Sequence, residues 1–209
     1  MVTTRIERVV TSGTFSLDGG TWDVDNNVWL IGDDSEVLVV DAAHDAAAIA
    51  DAVGDRHVVA VLCTHGHNDH VTVAPDLSKL LDAPILLHQG DEPLWRMTHP
   101  TADYRSVADT RRITVAGTDI DILHTPGHSP GSVSLHLPEL AALFTGDTLF
   151  QGGPGATGRS FSDFGTIIDS IRDRLLTLPD ETVVHTGHGD TTTIGAEKPS
   201  LADWIARGH

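Results

Sequence analysis

The stretch LCTHGHNDHVTVA, residues 62–74, crowds His65, His67, Asp69 and His70 together directly after an apolar run. Imidazole and carboxylate groups are costly to bury unless something pairs with them. A divalent cation is one such partner; the alternative is a histidine-rich loop that holds no metal. His65 and His67, two residues apart, point to the same side of an extended segment. Asp69 and His70 fall on the turn into a helical pattern marked by Val73, Leu77, Leu80 and Leu81, and can aim at a second point. The spacing therefore favours two adjacent cations over one.

Such a pair needs more ligands, and the chain offers them. Four apolar runs end alike: VLCTHGH at His67, ILHTPGH at His128, ALFTGD at Asp147 and VVHTGH at His188. In each, a strand-like run meets threonine, and glycine directly precedes a histidine or aspartate. Glycine at a strand end permits a sharp turn and close backbone approach. Four strand ends are thus expected to present donors along one edge of a sheet, where α/β sites usually lie.

Apolar, β-branched runs predict strands at 26–32, 36–42, 57–64, 83–88, 111–117, 119–125, 132–138, 141–146 and 182–187. Asp45 is placed to cap an alanine-rich helix running to about Val53. Phe161, Phe164, Ile167, Ile168, Ile171, Leu175 and Leu178 recur at steps of three and four, predicting one amphipathic helix over about 162–177. A last helix is expected over 199–206. Residues 89–110 fit neither period and read as an irregular or partly helical insertion. The glycine-rich 150–163 reads as a mobile surface loop. Strands mixed with helices, and no break in composition, imply one domain over residues 1–209 with helices covering sheet layers.

The formal net charge of −17 argues against nucleic acid and against an anionic membrane surface as partners. The single cysteine, Cys63, excludes an internal disulfide and reads as a small buried strand residue. The opening MVTTRIERVV lacks the apolar core of a signal peptide, and no run approaches the ~20 apolar residues of a membrane span. A cytoplasmic location is the expectation.

THGHNDH, TPGHSPGS, GDTLF and TGHG follow one another as the motifs of the metallo-β-lactamase-fold hydrolases do, and the chain looks closest to their small glyoxalase II-like branch. The resemblance implies a mixed α/β (α+β) fold, a four-layer αβ/βα sandwich with metals at one end between two sheets. It implies that His65, His67 and His128 hold a first metal, that Asp69, His70 and His188 hold a second, and that Asp147 bridges them. Asp69 is also assigned a catalytic role. Asp41 matches the acidic residue that supports the histidine loop without binding metal. The cofactors implied are two divalent ions, zinc by ligand type, with iron or manganese accepting the same donors.

The implied chemistry is hydrolysis of a small-molecule substrate by a hydroxide lying between the two cations, with no serine or cysteine nucleophile. A thioester of a small thiol suits it, because a thiolate leaves readily. Ser129 and Ser132 then read as turn residues, and His124 and His185 as packed strand residues. The loop at 150–160 and the insertion at 89–110 are the places to choose a substrate, through Trp95, Met97, Tyr104 or Arg159; Arg159 suits a carboxylate. Asp147 stands where class B β-lactamases usually carry cysteine or serine, which disfavours β-lactams. Three rivals remain: a persulfide dioxygenase with one iron on His65, His128 and Asp147, a lactonase on the dinuclear site, and a metal-stabilised binding protein without turnover.

Overall fold

A computed structural model describes residues 4–208. It opens on a long antiparallel hairpin, β1 (Arg5–Leu17) and β2 (Gly20–Gly32), paired from Arg5↔Gly32 out to Leu17↔Gly20. The half of β2 from Asn26 onward is buried throughout. The other half projects beyond the body and exposes most of its residues, so only 26–32 carries an apolar signature in the sequence. Strand β1 is an edge strand of polar alternation, and its sequence hides it for the same reason.

Strands β3 (Glu36–Val40), β4 (His57–Leu62), β5 (Ile85–His88) and β6 (Arg105–Val107) complete this sheet in chain order. From β3 onward the pairing is parallel, and β3 and β4 read as continuous Val/Leu runs because both their faces are covered. The crossovers supply α1 (Ala46–Val53), α2 (Asn68–Val71), α3 (Ala74–Leu81) and α4 (Glu92–Thr98). Asp45 caps α1 as expected, its side chain accepting from Ala48 N.

The second sheet contains β7 (Arg112–Val115), β8 (Thr118–His124), β9 (Val133–Leu137) and β10 (Ala142–Gly146). A short ribbon of β11 (Leu149–Phe150) and β12 (Gly153–Pro154) follows, and then β13 (Val183–Thr186) and β14 (Thr192–Thr193) extend the sheet in the order 14-13-10-9-8-7. Helices α5 (Phe164–Ser170), α6 (Ile194–Glu197) and α7 (Leu201–Arg207) belong to this half.

Three buried clusters correspond to three gaps between four layers. Ile49, Val53, Leu77 and Trp95 pack against the first sheet through Val37, Val39 and Val61. Trp29, Leu38 and Leu62 meet Ile120, Leu135 and Phe144 between the sheets. Ile167, Ile171, Leu175 and Trp204 cover the second sheet at Leu143 and Val184. The arrangement is the expected αβ/βα sandwich.

One expectation needs correcting, and another takes the partly helical form of its two alternatives. The helix expected over 162–177 begins at Phe164, after Asp163 caps it, and its last turns are a π-helix, Ile171–Leu175. Periodicity of three and four does not separate a π-turn from an α-turn over one such stretch. The insertion at 89–110 is largely ordered, as a 3-10 turn, α4 and β6.

Candidate metal centre

The four Thr-Gly strand ends do converge, though not along one sheet edge. The turn with His65 and His67 follows β4 of the first sheet, while His128, Asp147 and His188 follow β8, β10 and β13 of the second. The donors meet where the two sheets open, and α2 contributes Asp69 and His70.

All seven expected donors come together in two adjacent clusters. In the first, His67 Nδ1 lies 3.0 Å from His65 Nε2 and 2.9 Å from His128 Nε2. In the second, His70 Nε2 and His188 Nε2 are 3.2 Å apart, and Asp69 Oδ2 lies 3.5 Å from the former and 3.4 Å from the latter. Asp147 stands between the clusters, 3.3 Å from His70 Nε2, 3.3 Å from His188 Nε2 and 3.6 Å from His128 Nε2. Tetrahedral ligands at about 2.0–2.1 Å from a cation stand about 3.3 Å from one another. Both clusters have the dimensions to close around one ion each.

Hydrogen bonds behind the rings decide which nitrogens carry lone pairs. His70 Nδ1 donates to Asp41 Oδ2 at 2.9 Å, His128 Nδ1 to Ala156 O at 2.9 Å and His188 Nδ1 to Asp25 O at 2.7 Å. Thr64 Oγ1 donates to Asp41 and so accepts from His65 Nδ1 at 3.2 Å. Each outer partner is an acceptor, which leaves the inward Nε2 of these four rings as the ligand atom. His67 differs, facing inward through Nδ1. Its Nε2 is buried without a partner, as are Asp69 Oδ1 and Asp147 Oδ1. Of the three, Asp147 Oδ1 faces the cluster, 3.3 Å from His70 Nε2, and is the buried atom that a cation would relieve.

The charge pattern divides along the same line. Burial pushes His65 well below the ordinary imidazole range and His67 down to about 3, so these two rings are neutral. Burial would depress His70 and His188 too, but the carboxylates, Asp147 foremost, lift His70 well up and His188 to about 10. Burial raises the carboxyls, yet the His70 charge holds Asp147 well below its usual range and Asp69 down to about 2. Without a cation, protons on the second pair of imidazoles take its electrostatic place.

Asp41 has the supporting position expected of it, accepting from Thr64 N at 2.7 Å as well as from His70. Two supports escaped the sequence reading. Asn26 Nδ2 donates to Asp69 Oδ2 at 3.0 Å while its Oδ1 meets His44 Nε2 at 2.8 Å. Asp91 accepts from Gly66, Ser129 and Gly131. The Asn26-Asn27 pair inside a predicted strand was a signal, since asparagine is depleted there. Asp91 offered none beyond a helix start.

A cleft of about 260 Å³ opens over the donors, lined by Phe15, Trp22 and Val24 of the projecting hairpin, by Ala156 and Arg159, and by His67, Asp69, His128, Asp147 and His188. The Arg159 guanidinium lies over the Trp22 ring at 4.0 Å. The 150–163 segment is thus a wall of the cleft. Trp95 and Tyr104 are not: Trp95 is buried behind the first sheet, and the Tyr104 hydroxyl is bound to Glu92. Met97 lines a neighbouring cleft with Leu17, Leu94 and His67. Ser129 and Ser132 bond each other, and Cys63 is buried with its thiol pushed well up by burial, so none of the three is a nucleophile. Among the described residues no helix is long and apolar enough to cross a membrane.

The family model of the metallo-beta-lactamase superfamily matches residues 21–188. A hydroxyacylglutathione hydrolase, GloC of Haemophilus influenzae, is 34% identical over 193 residues, covering 83% of this chain and 90% of its own. TTHA1623, solved in a di-iron-bound form, is 32% identical with a TM-score of 0.76 over 84% of this chain and 93% of its own. The B3 metallo-beta-lactamase BLEG-1 is 29% identical with a TM-score of 0.75 over 90% of this chain and 97% of its own.

Proposed function

The chain belongs to the metallo-beta-lactamase superfamily and is a metal-dependent hydrolase, and from that premise we propose that it cleaves thioesters of small thiols at a dinuclear centre. The observation that carries the proposal is the pair of adjacent three-donor clusters with Asp147 facing both. In it His65, His67 and His128 would hold one divalent cation and Asp69, His70 and His188 the other, with Asp147, which faces both clusters, available to each. Zinc suits these nitrogen-rich donors; the di-iron form of TTHA1623 speaks for iron as the competitor.

Bound there, the two cations supply Lewis acidity and water that ionises near neutral pH. The chain's own part is to orient and to exclude. The outer acceptors Asp41, Thr64, Ala156 and Asp25 fix the ring tautomers. Phe15, Trp22 and Val24 give the cleft an apolar wall that sheds water around a thioester carbonyl. Asp69 Oδ1, buried and unpartnered, is the atom assigned to hold a proton during turnover. A thiolate departs without an acid; among the described residues the cleft lining carries Arg159 and histidines as its only cationic side chains. The name of GloC, a hydroxyacylglutathione hydrolase, supports the thioester class.

The test is a panel of acyl thioesters of small thiols, a homoserine lactone and a β-lactam, with elemental analysis of the protein used. Two metals per chain and thiol release from a thioester, lost at least a hundredfold in Asp147→Ala, are the expected results. Turnover that survives Asp147→Ala, or a preference for lactone or β-lactam, refutes the assignment.

A further inference from the structure

We infer that Asp91 is a positioning residue for the first donor cluster: its carboxylate fastens the turn carrying His65 and His67 to the turn carrying His128. The inference rests on the two-cation reading above. Asp91 ends the 3-10 turn before α4 and is completely buried, at 0% exposure. Its Oδ2 accepts from Gly66 N at 2.7 Å and from Ser129 Oγ at 2.7 Å, and its Oδ1 accepts from Gly131 N at 2.5 Å. Gly66 lies between His65 and His67, and Ser129 directly follows His128. One carboxylate therefore spans both histidine-bearing turns, which belong to different sheets.

The space for it is built. A Cβ at Gly66 would stand 3.0 Å from Asp91 Cβ, and one at Gly131 would stand 2.5 Å from Asp91 N. A side chain at Gly131 would collide with the carboxylate itself, at 2.7 Å from Asp91 Cγ and 2.8 Å from its Oδ1, and one at Gly66 would press on Asp91 Cβ. The partners that bind it are two amides and a hydroxyl, all neutral. A carboxylate held this way, without a bonded cation, is expensive to bury. Two amides and a hydroxyl could be satisfied more cheaply by water or backbone carbonyls. What the carboxylate adds is rigidity at the point where His67 Nδ1 must meet His65 Nε2 at 3.0 Å and His128 Nε2 at 2.9 Å.

The second cluster is held by other means. Asp69 and His70 ride on α2 and His188 follows β13, and their supports are Asn26, Asp41 and the Asp25 carbonyl. None of these bonds involves Asp91, so its loss should register at one site and leave the other in place.

The test reads the two sites separately by 113Cd NMR on the stripped chain reloaded with two equivalents of 113Cd2+. The resonance of the three-imidazole site is assigned by its loss in His67→Ala. Asp91→Asn keeps the shape but turns one acceptor oxygen into an NH2 that faces a backbone N–H. The expected result is a displaced or broadened three-imidazole resonance and roughly 10- to 100-fold weaker cadmium binding there by chelator competition, with the other resonance unmoved. Ser129→Ala, which removes one of the three donors and leaves the carboxylate, should displace the same resonance less, and it decides the matter if Asp91→Asn does not fold. Leu176→Ala, remote from the site, reports what general destabilisation alone does. Equal displacement of both resonances, or none, in the Asp91 and Ser129 variants overturns the inference. A wild-type chain that takes up fewer than two cadmium ions overturns the two-cation reading instead.

Discussion

Replacing Asp41 by asparagine tests how the second cluster is prepared for a cation. Asp41 directly follows β3 at a φ of 66°, a left-handed conformation that asparagine tolerates better than most residues, so the backbone has no reason to move. The carboxylate accepts from Thr64 N at 2.7 Å, from Thr64 Oγ1 at 3.0 Å and from His70 Nδ1 at 2.9 Å. An amide has one acceptor oxygen and one donor nitrogen for these three partners. If its oxygen stays with Thr64 N–H, its NH2 faces His70 Nδ1, which must then accept, and the ring proton moves to Nε2. That nitrogen is the one that faces Asp147 and His188 and would bind the cation. If the amide turns round, a buried NH2 opposes the Thr64 N–H. Losing a charge-assisted hydrogen bond or leaving a buried donor unpaired costs about 1.5–3 kcal/mol. At about 1.4 kcal/mol per decade, Asp41→Asn should weaken the second site by roughly 10- to 100-fold and spare the first. Cadmium titration against a competing chelator, with one resonance per site, measures both constants. Unchanged affinity at both sites in a folded Asp41→Asn protein would refute the tautomer argument, and an equal loss at both would show that Asp41 serves the fold and not the site.

Two further expectations concern stability. His185 lies between Trp29 and Phe144, with ring centroids 4.6 Å from each, and its Nδ1 has no partner; burial pulls it down to about 4. Because the folded value lies below the unfolded one of about 6.5, its contribution is complete above pH 6.5 and is lost as pH falls towards 4, by no more than about 3 kcal/mol. Urea unfolding of the metal-stripped protein should show His185→Phe gaining on wild type through that window; parallel curves would contradict it. Chelation should lower Tm, because a cation held at a hundred times its Kd contributes about 2.7 kcal/mol, or about 5–10 °C for a chain of this length. An identical Tm with and without cation by calorimetry would show that the clusters do not bind metal in the folded state.

What the sequence revealed follows from what each residue costs to bury. Imidazoles and carboxylates next to apolar runs have no cheap explanation, so His65, His67, Asp69, His70, His128, Asp147 and His188 stood out, and the structure brings all seven together. The continuous apolar runs of β3 and β4 were legible because both faces of each strand are covered. The outer half of the first hairpin was not, since its energetics lie in the cleft it walls rather than in a core of its own. The division of strands between two sheets was equally hidden: β4 and β10 look alike in sequence, and only pairing between distant segments separates them. Asp91 is the instructive failure. A lone aspartate ahead of Glu-Pro looks like an ordinary helix start, and its reasons for being charged, Gly66 and the Ser129–Gly131 turn, are remote in the chain. Donor residues are conspicuous because the cation that repays their burial is absent from the sequence. The residues that aim them are inconspicuous because their partners are backbone amides, which every position carries.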